Sequence, residues 1–367
     1  MMTFGVFLSY QQIYEEQRGQ DMYKNMLEMA VLTDRLGFDN IWIPEHHLIH
    51  YMPAPNALII AAQVGQHVKR ARIGTAVVVL PYHHPLAIAG DITATDNVLE
   101  GRFDLGVARG AYKYEFDRFG QEFGDSRARF DECLDVLEQV WHSEDEGISH
   151  NGRFWQFDST YVWPRPFQKP HPPIWVGCMR DSTTGHYARR GYNIFHAPFR
   201  RPMSHVQRIC DAFHEAREVL GNPRGVQRIG MSRMFYVAER EEDAFLKAKD
   251  VVVNHRIGTR LHDYSQNSNS RGYVAPDPND DDPDEREVFD NLLMGTPDQV
   301  LEKVEAFDRA ALDHLSLFSH FGPGHEDYVK SMELFAEKVM KPYRERHSTE
   351  NQPELVTAAS GVACGGS

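Results

Sequence analysis

The chain has 367 residues, of which 41% are hydrophobic and 25% are charged, a composition typical of a globular protein with a sizeable core. Acidic residues outnumber basic ones by 53 to 39, and the formal net charge of −14 argues against binding to nucleic acids or anionic membranes. No stretch approaches the roughly 20 apolar residues that span a bilayer, and the N-terminus lacks the features of a signal peptide. Four cysteines without paired or metal-ligand spacing are expected to be reduced thiols of a cytoplasmic protein: Cys133, Cys178, Cys210 and Cys364.

Short apolar segments alternate with longer amphipathic ones along the chain. Strands are expected at Phe4–Ser9, Asn40–Pro44, Ile73–Leu80, Phe103–Ala108, Ile174–Gly177, Asn193–His196, Ile229–Val237 and His314–Ser319. Helices are expected at roughly 19–36, 56–69, 86–99, 126–142, 182–190, 203–220, 239–255, 297–310 and 325–345. This alternation predicts an α/β fold, a (β/α)₈ TIM barrel, within a single domain over residues 1–347. The alternative, an open doubly wound sheet, is disfavoured because no Gly-x-Gly-x-x-Gly turn follows the first strand.

Local signals agree with these boundaries, and two regions interrupt the alternation. Gly37 is expected to end the first long helix, and Thr296-Pro297 reads as an N-cap followed by the first helical position. Residues 143–173 are rich in aromatics and prolines and are expected to be an insertion. Residues 256–294 carry an acidic run and are interpreted as a mobile lid or, alternatively, as a disordered insertion. Residues 348–367 are expected to form a disordered tail.

Polar residues follow most of the expected strands directly, where the active site of a barrel lies. After the second strand come Glu45, His46 and His47. Neighbouring residues in an extended chain point to opposite sides, so His46 and His47 are not expected to share a metal ion, and a metal-dependent hydrolase is disfavoured. The functional interpretation is that one histidine faces the pocket as an acid/base group or hydrogen-bond donor. The alternative is that both histidines only brace the loop.

A second polar group suggests an anion site. Arg109 follows the fourth strand, where its forked donors would suit a phosphate. Ser182-Thr183-Thr184 opens the next helix, two residues after Arg180, and hydroxyls with free backbone N–H groups at a helix start also favour a phosphate. These residues are interpreted as one phosphate seat, with a helix N-cap plus a surface salt bridge as the open alternative.

The sequence also resembles the bacterial-luciferase family, in particular the catalytic α subunit. The blocks that carry this resemblance run in order through most of the chain: FLSYQ, LGFDNIWIPEHH, IGTAVVVLPYHHPL, LEGRFDLGVARGAYKYEFDRFG with SRA following, DSTTGHYARRG, GTPDQV and SMELFAEKVMKPY. The resemblance implies a flavin-dependent monooxygenase that uses reduced FMN (FMNH2) and O₂ through a flavin C4a-hydroperoxide.

The resemblance assigns roles to individual residues. His46 is implied to be the catalytic histidine, with Glu45 as the acid beside it. Ala76-Val77 falls where the family has a non-prolyl cis peptide under the flavin ring. Arg109 and Thr183 match phosphate contacts, Arg180 is a further candidate beside them, and Ser182 and Tyr112 complete the expected cofactor-binding set. No metal is implied, and residues 256–294 correspond to the luciferase lid.

Three departures from the luciferase pattern change the expected pocket. Ala108 replaces a reactive cysteine, Met179-Arg180 replaces an acid-serine pair, and Ala197 replaces a tryptophan near the flavin. Light emission from a fatty aldehyde is therefore not assumed, and both light emission and the identity of the small organic substrate stay open.

The expected partners also follow from the resemblance. Without a nicotinamide-binding motif, the reduced flavin is expected to come from a separate flavin reductase, and the protein is expected to be a homodimer. The alternatives are a deazaflavin-dependent oxidoreductase of the same superfamily and a non-catalytic flavin-binding subunit. The second is disfavoured because His46 and Arg109 are both retained.

Overall fold

The computed structural model describes residues 1–143, 146–222, 226–318, 320–322 and 324–348. Its strands are β1 (Thr3–Phe7), β2 (Asn40–Ile43), β3 (Arg72–Thr75), β4 (Val78–Val79), β5 (Phe103–Ala108), β6 (Ile148–Asn151), β7 (Gln156–Thr160), β8 (Ile174–Cys178), β9 (Asn193–His196), β10 (Ile229–Val237), β11 (Leu293–Gly295) and β12 (His314–Phe318). Its α-helices are α1 (Gly19–Arg35), α2 (Ala57–His67), α3 (Pro85–Val98), α4 (Lys113–Arg118), α5 (Ser126–His142), α6 (Asp181–Ala188), α7 (Met203–Val219), α8 (Glu241–Phe245), α9 (Ala248–Arg260), α10 (Tyr264–Asn267), α11 (Glu285–Asn291), α12 (Pro297–Arg309), α13 (His325–Phe335) and α14 (Lys341–Ser348).

The parallel strands close into a barrel, which confirms the predicted fold class. The hydrogen-bonded order within the described chain is β1-β2-β3-β5-β8-β9-β10-β12, and β12 pairs back onto β1. Strand β4 follows β3 in the chain and also pairs with β5, so β3 and β4 together form the third strand of the barrel. Strand β11 pairs with β10 and extends the sheet there. Because all the barrel strands are parallel, their carboxyl ends meet on one face, where the active site of such a barrel lies.

The barrel is filled by apolar and aromatic side chains whose close packing requires glycine at some positions. An added Cβ on Gly106 would lie 1.8 Å from the backbone oxygen of Thr75, so β5 can approach β3 only with glycine there. An added Cβ on Gly74 would lie 2.4 Å from the ring of Trp42, which is fully buried. These contacts explain glycines inside strands, where the residue otherwise weakens pairing.

The structure refines several expected boundaries. The strand expected at Ile73–Leu80 is divided into β3 and β4, and the peptide bond between Ala76 and Val77 is cis, as the resemblance implies. Gly37 has a φ of 90°, and Thr296 forms a capping box with Gln299, so both helix-boundary predictions are confirmed. Ser319, at the end of the last expected strand, lies outside the described residues.

The two interrupting regions contain secondary structure of their own. Strands β6 and β7 form an antiparallel hairpin in the described part of the 143–173 insertion. Within 256–294, α9 continues to Arg260 and is followed by α10, α11 and β11, so this segment is partly helical. Its role as a lid stays a prediction, and the tail expected at 348–367 falls outside the described residues beyond Ser348.

The predictions about the cysteines and about membrane-spanning segments can be compared with the structure. Cys133, Cys178 and Cys210 are buried and free, while Cys364 falls outside the described residues. In the part of the chain that the structure describes, we find no helix with the length and apolar character needed to cross a membrane.

Candidate active site

The loop after β2 carries the histidine pair, and the two imidazoles face different carboxylates. Glu45 is 4% exposed, and its Oε1 lies 2.7 Å from His47 Nε2. His46 turns the other way, with Nδ1 3.6 Å from Oε1 of Glu115. The expectation that adjacent histidines point apart therefore holds for this pair.

Glu115, on α4, is the second buried carboxylate of this site. Its Oε1 accepts a hydrogen bond of 2.6 Å from the backbone N–H of His47, and its Oε2 accepts one of 3.0 Å from the hydroxyl of Tyr82. Burial raises the pKa of Tyr82, and the charge and hydrogen bond of Glu115 raise it further. The tyrosine therefore stays a neutral donor, and Glu115 fixes the backbone that carries His46.

The carboxyl of Glu45 is held ionised despite its burial. Burial alone favours the neutral acid, but the hydrogen bonds and charges of His47 and His83 lower the pKa of Glu45 below its ordinary value. His83, in the segment before α3, also contacts this carboxylate, although the sequence does not single it out as a site residue. Its Nε2 lies 3.1 Å from the same Glu45 oxygen that His47 contacts.

Aromatic rings surround His46 on the barrel mouth. The ring of Tyr112 lies 5.5 Å from that of His46, and Tyr51 lies 5.9 Å away on another side. Burial raises the pKa of both tyrosines, so their hydroxyls are neutral. The side chain of His46 keeps 21% of its surface exposed, which leaves it accessible from the mouth.

Residues of the predicted lid pack onto this aromatic group. The His262 ring lies 5.3 Å from Tyr112, and Tyr264 lies 4.3 Å from Tyr114.

A groove of about 770 Å³ lies elsewhere, between α1 and the C-terminal helices, where Arg35, Glu333 and Lys341 are among its lining residues. We place the site at the strand ends instead, because the convergent polar and titratable groups lie there.

The predicted phosphate residues form a cluster of positive charge. Burial lowers the pKa of Arg109, and the charges of Arg127 and Arg180 lower it further. Arg109 donates a 3.1 Å hydrogen bond to Ser126 Oγ and lies 5.5 Å from the ring centre of Phe123. None of the three arginines forms an ion pair with a residue in the described ranges of the chain.

Arg127 is a member of this cluster that the sequence did not single out, although it lies in the SRA block. It follows the first residue of α5, and its guanidinium lies 5.1 Å from the ring of Tyr187 and donates to the Tyr187 hydroxyl. The sequence feature that could have indicated Arg127 is the Ser-Arg pair at the start of a helix. Only the fold places this pair beside Arg109, which lies 17 residues from Ser126 in the sequence.

At the start of α6, groups of Ser182 and Thr183 that were expected to bind a phosphate have hydrogen-bond partners inside the protein. The Thr183 hydroxyl donates to the carbonyl of Arg180 at 2.8 Å, and the backbone N–H of Ser182 donates to Asp181 Oδ1 at 3.0 Å. Thr184 is fully buried, and within the described chain its hydroxyl has no hydrogen-bond partner. The roles of Ser182 and Thr183 in phosphate binding stay predictions.

Small side chains lie on three neighbouring strand ends beside the cis peptide. An added Cβ on Gly177 would lie 3.1 Å from Cβ of Ala108 and 3.2 Å from Cγ1 of Val77. Ala76 and Val77 are both partly exposed. This low apolar surface, formed by Ala76, Val77, Ala108 and Gly177, lies at the same face of the barrel as the arginines and could receive a flat ring.

Comparisons with known proteins identify the family of this chain. A model of the luciferase-like monooxygenase family matches residues 2–314. The oxygenase component of flavin-dependent trigonelline monooxygenase from Acinetobacter baylyi is 30% identical, and the match covers 95% of this chain and 99% of the relative. The alkanal monooxygenase alpha chain of Photobacterium leiognathi is 24% identical, with 92% of this chain and 98% of the relative covered.

Solved structures show the same fold. Monooxygenase RslO1 from Streptomyces bottropensis superimposes with a TM-score of 0.79 at 27% identity, covering 93% of this chain and 100% of that structure. The oxygenating constituent of 3,6-diketocamphane monooxygenase from Pseudomonas putida, solved with FMN, gives a TM-score of 0.73 at 21% identity, with 92% and 98% covered. The predicted resemblance is confirmed, and the chain belongs to the luciferase-like monooxygenase family of flavin-dependent enzymes.

Proposed function

We propose that this protein is the oxygenase of a two-component system that uses reduced FMN and O₂ to insert one oxygen atom into a small organic substrate. The observation that carries the proposal is that Arg109 hydrogen-bonds Ser126, the residue before Arg127, and is repelled by the charges of Arg127 and Arg180 at the same barrel face as His46. Three guanidinium groups without a carboxylate partner in the described chain fit an anion that has several oxygen atoms. The phosphate of FMN is such an anion.

The remaining residues fit the rest of the cofactor. Ala76, Val77, Ala108 and Gly177 offer a low surface on which a flat ring can lie close to the backbone. When bound, reduced FMN supplies the activation of O₂. The protein's part is to hold the phosphate, to position the substrate and to exclude water.

His46 is proposed to hold or move a proton at Nε2 during oxygen transfer. Its Nδ1 faces the carboxylate of Glu115 at 3.6 Å, so Nε2 is the nitrogen left for the pocket. Within the described residues, no hydrogen bond joins Glu45 to His46. The proposed role of Glu45 is to fix the loop after β2 through its contact with His47. The segment 256–294, which packs on Tyr112 through His262, is proposed to close the mouth during turnover.

The proposed partners follow from the relatives and the sequence. The Acinetobacter relative is named as an oxygenase component, which supports delivery of reduced flavin by a separate reductase. A homodimer in the cytoplasm remains part of this proposal.

Rapid mixing tests the function directly. The protein is mixed with anaerobically reduced FMN and then with O₂, and the appearance of oxidised flavin is followed by absorbance. We expect it to appear more slowly than from free reduced FMN, because the site shields the reacting flavin from water. Kinetics equal to those of the free flavin, together with tighter binding of a reduced deazaflavin than of FMN, would instead indicate the deazaflavin-dependent oxidoreductase.

A further inference from the structure

The loops after β2 and β4 bring two imidazoles to one buried carboxylate. Oε1 of Glu45 lies 2.7 Å from His47 Nε2 and 3.1 Å from His83 Nε2. One potential ligand atom from each of the three residues lies within 4.8 Å of the other two. The three groups therefore converge on a single point from two separate loops.

The local chain geometry explains this convergence. Glu45 and His47 are two residues apart in the segment after β2 and contact each other, while His46 between them faces Glu115 instead. The backbone of His47 is also held by Glu115, at 2.6 Å from its N–H. His46 and His47 point apart and are not placed to share a metal ion, whereas Glu45, His47 and His83 point toward one another.

We propose that Glu45, His47 and His83 bind one divalent transition-metal ion of the Zn²⁺ class. Two imidazole nitrogens and one carboxylate oxygen form a donor set that Zn²⁺ accepts, with a fourth position left for water. The side chains of His47 and His83 are 14% and 25% exposed, so an ion can reach the site from solvent. The ion would tie the two loops together and fix the segment that carries His46.

A second group of potential metal ligands in the described chain, formed by Glu305, Asp308 and His347, has a different set of donor atoms. His347 Nε2 lies 3.1 Å from Glu305, whereas its Nδ1 lies 3.9 Å from Asp308. One potential ligand atom from each of Glu305, Asp308 and His347 also lies within 4.8 Å of the other two, but this group offers two carboxylates and a single imidazole, a donor set that suits Zn²⁺ less well than two imidazoles and one carboxylate. This cluster is an ion-pair network and supplies a matched control.

Metal titration of the full chain tests the proposal. Protein stripped with a chelator and dialysed is titrated with ZnCl₂ by calorimetry, and with CoCl₂ while the visible absorption of bound Co²⁺ is recorded. We expect one ion per chain. His83→Ala should weaken binding by about 100-fold or more, since even outer-shell partners of a metal site contribute about 10- to 100-fold. Glu45→Gln, which preserves the side-chain size, should do the same.

The controls separate a true site from a surface effect. His347→Ala, in the ion-pair network, should leave the Zn²⁺ affinity unchanged, and thermal unfolding checks that each variant is folded. The proposal is overturned if the wild-type protein binds Zn²⁺ no more tightly than about 1 mM. It is also overturned if His83→Ala retains the wild-type affinity. Because the titration is run without flavin, either failure leaves the proposed oxygenase function untouched.

Discussion

Replacing Arg109 with alanine separates a cofactor-binding role from a structural one, because the two roles predict opposite effects. In the free protein Arg109 has one side-chain hydrogen bond within the described residues, of 3.1 Å to Ser126, and it is repelled by Arg127 and Arg180. Its removal loses that bond and relieves the repulsion. We therefore expect the free energy of unfolding to change by no more than about 0.5 kcal/mol.

The affinity for reduced FMN should change far more. A hydrogen bond to a charged group contributes about 1.5–3 kcal/mol, which corresponds to roughly 10- to 150-fold in Kd. Because Arg109 is exposed by more than a third, the lower half of that range is expected, about 10- to 40-fold. The loss should disappear with riboflavin, which lacks the phosphate.

Anaerobic titration of reduced FMN and of reduced riboflavin measures both affinities, and thermal unfolding without flavin measures stability. Arg118→Ala is the matched control, since Arg118 lies on the same segment, is exposed and packs over the ring of Tyr114. Unchanged FMN affinity with a clear loss of stability would refute the phosphate assignment and favour the structural alternative. An equal loss for FMN and riboflavin would also refute it.

His46→Ala should lower the rate of product formation by about 10²- to 10⁴-fold, the usual contribution of a general acid or base, and this is measured in steady-state turnover. Glu115→Gln should lower the same rate by about 10-fold or more with little change in FMN affinity, because it removes the charge 3.6 Å from His46. Burial lowers the pKa of His320 to about 3 and that of His196 to about 4, while the unfolded chain takes up these protons below about pH 6.5. Stability should therefore fall by about 1.4 kcal/mol per pH unit for each histidine as the pH drops from 6.5 to 4, measured by denaturant unfolding. Gly106→Ala should destabilise the barrel by about 3 kcal/mol or more, because its Cβ would lie 1.8 Å from a backbone oxygen.

Each of these predictions has an outcome that contradicts it. Normal turnover in His46→Ala at every pH would remove the proposed proton role, and lost FMN affinity in Glu115→Gln would show that this carboxylate acts on binding. If His320→Gln kept the full pH slope of stability, the buried neutral histidine would not be its source. Gly124→Ala is the control for Gly106→Ala, since nothing lies within 4 Å of its added Cβ. Equal stability of the two variants would contradict the steric argument.

The order and type of most elements could be predicted from the amino-acid sequence alone. Hydrophobic periodicity predicted the barrel because alternating strands and helices leave few other ways to bury their apolar faces. It also predicted that Glu45, His46 and Arg109 would share one face, since residues that follow parallel strands meet at the same end of a barrel. The blocks of family resemblance added the cis peptide at Ala76-Val77, which periodicity cannot indicate.

Which side chains meet at that face depends on the folded barrel and could not be predicted from the sequence. Glu115 reaches His47 across 68 residues of sequence and also faces His46, and His83 reaches Glu45 across 38. Arg127 joins Arg109 because α5 begins beside the end of β5. Side-chain directions in loops depend on long-range contacts rather than on local period, so a sequence can place a residue at a strand end but cannot choose its partner. The same reason explains why the geometry of Glu45, His47 and His83 emerged only once the barrel was closed.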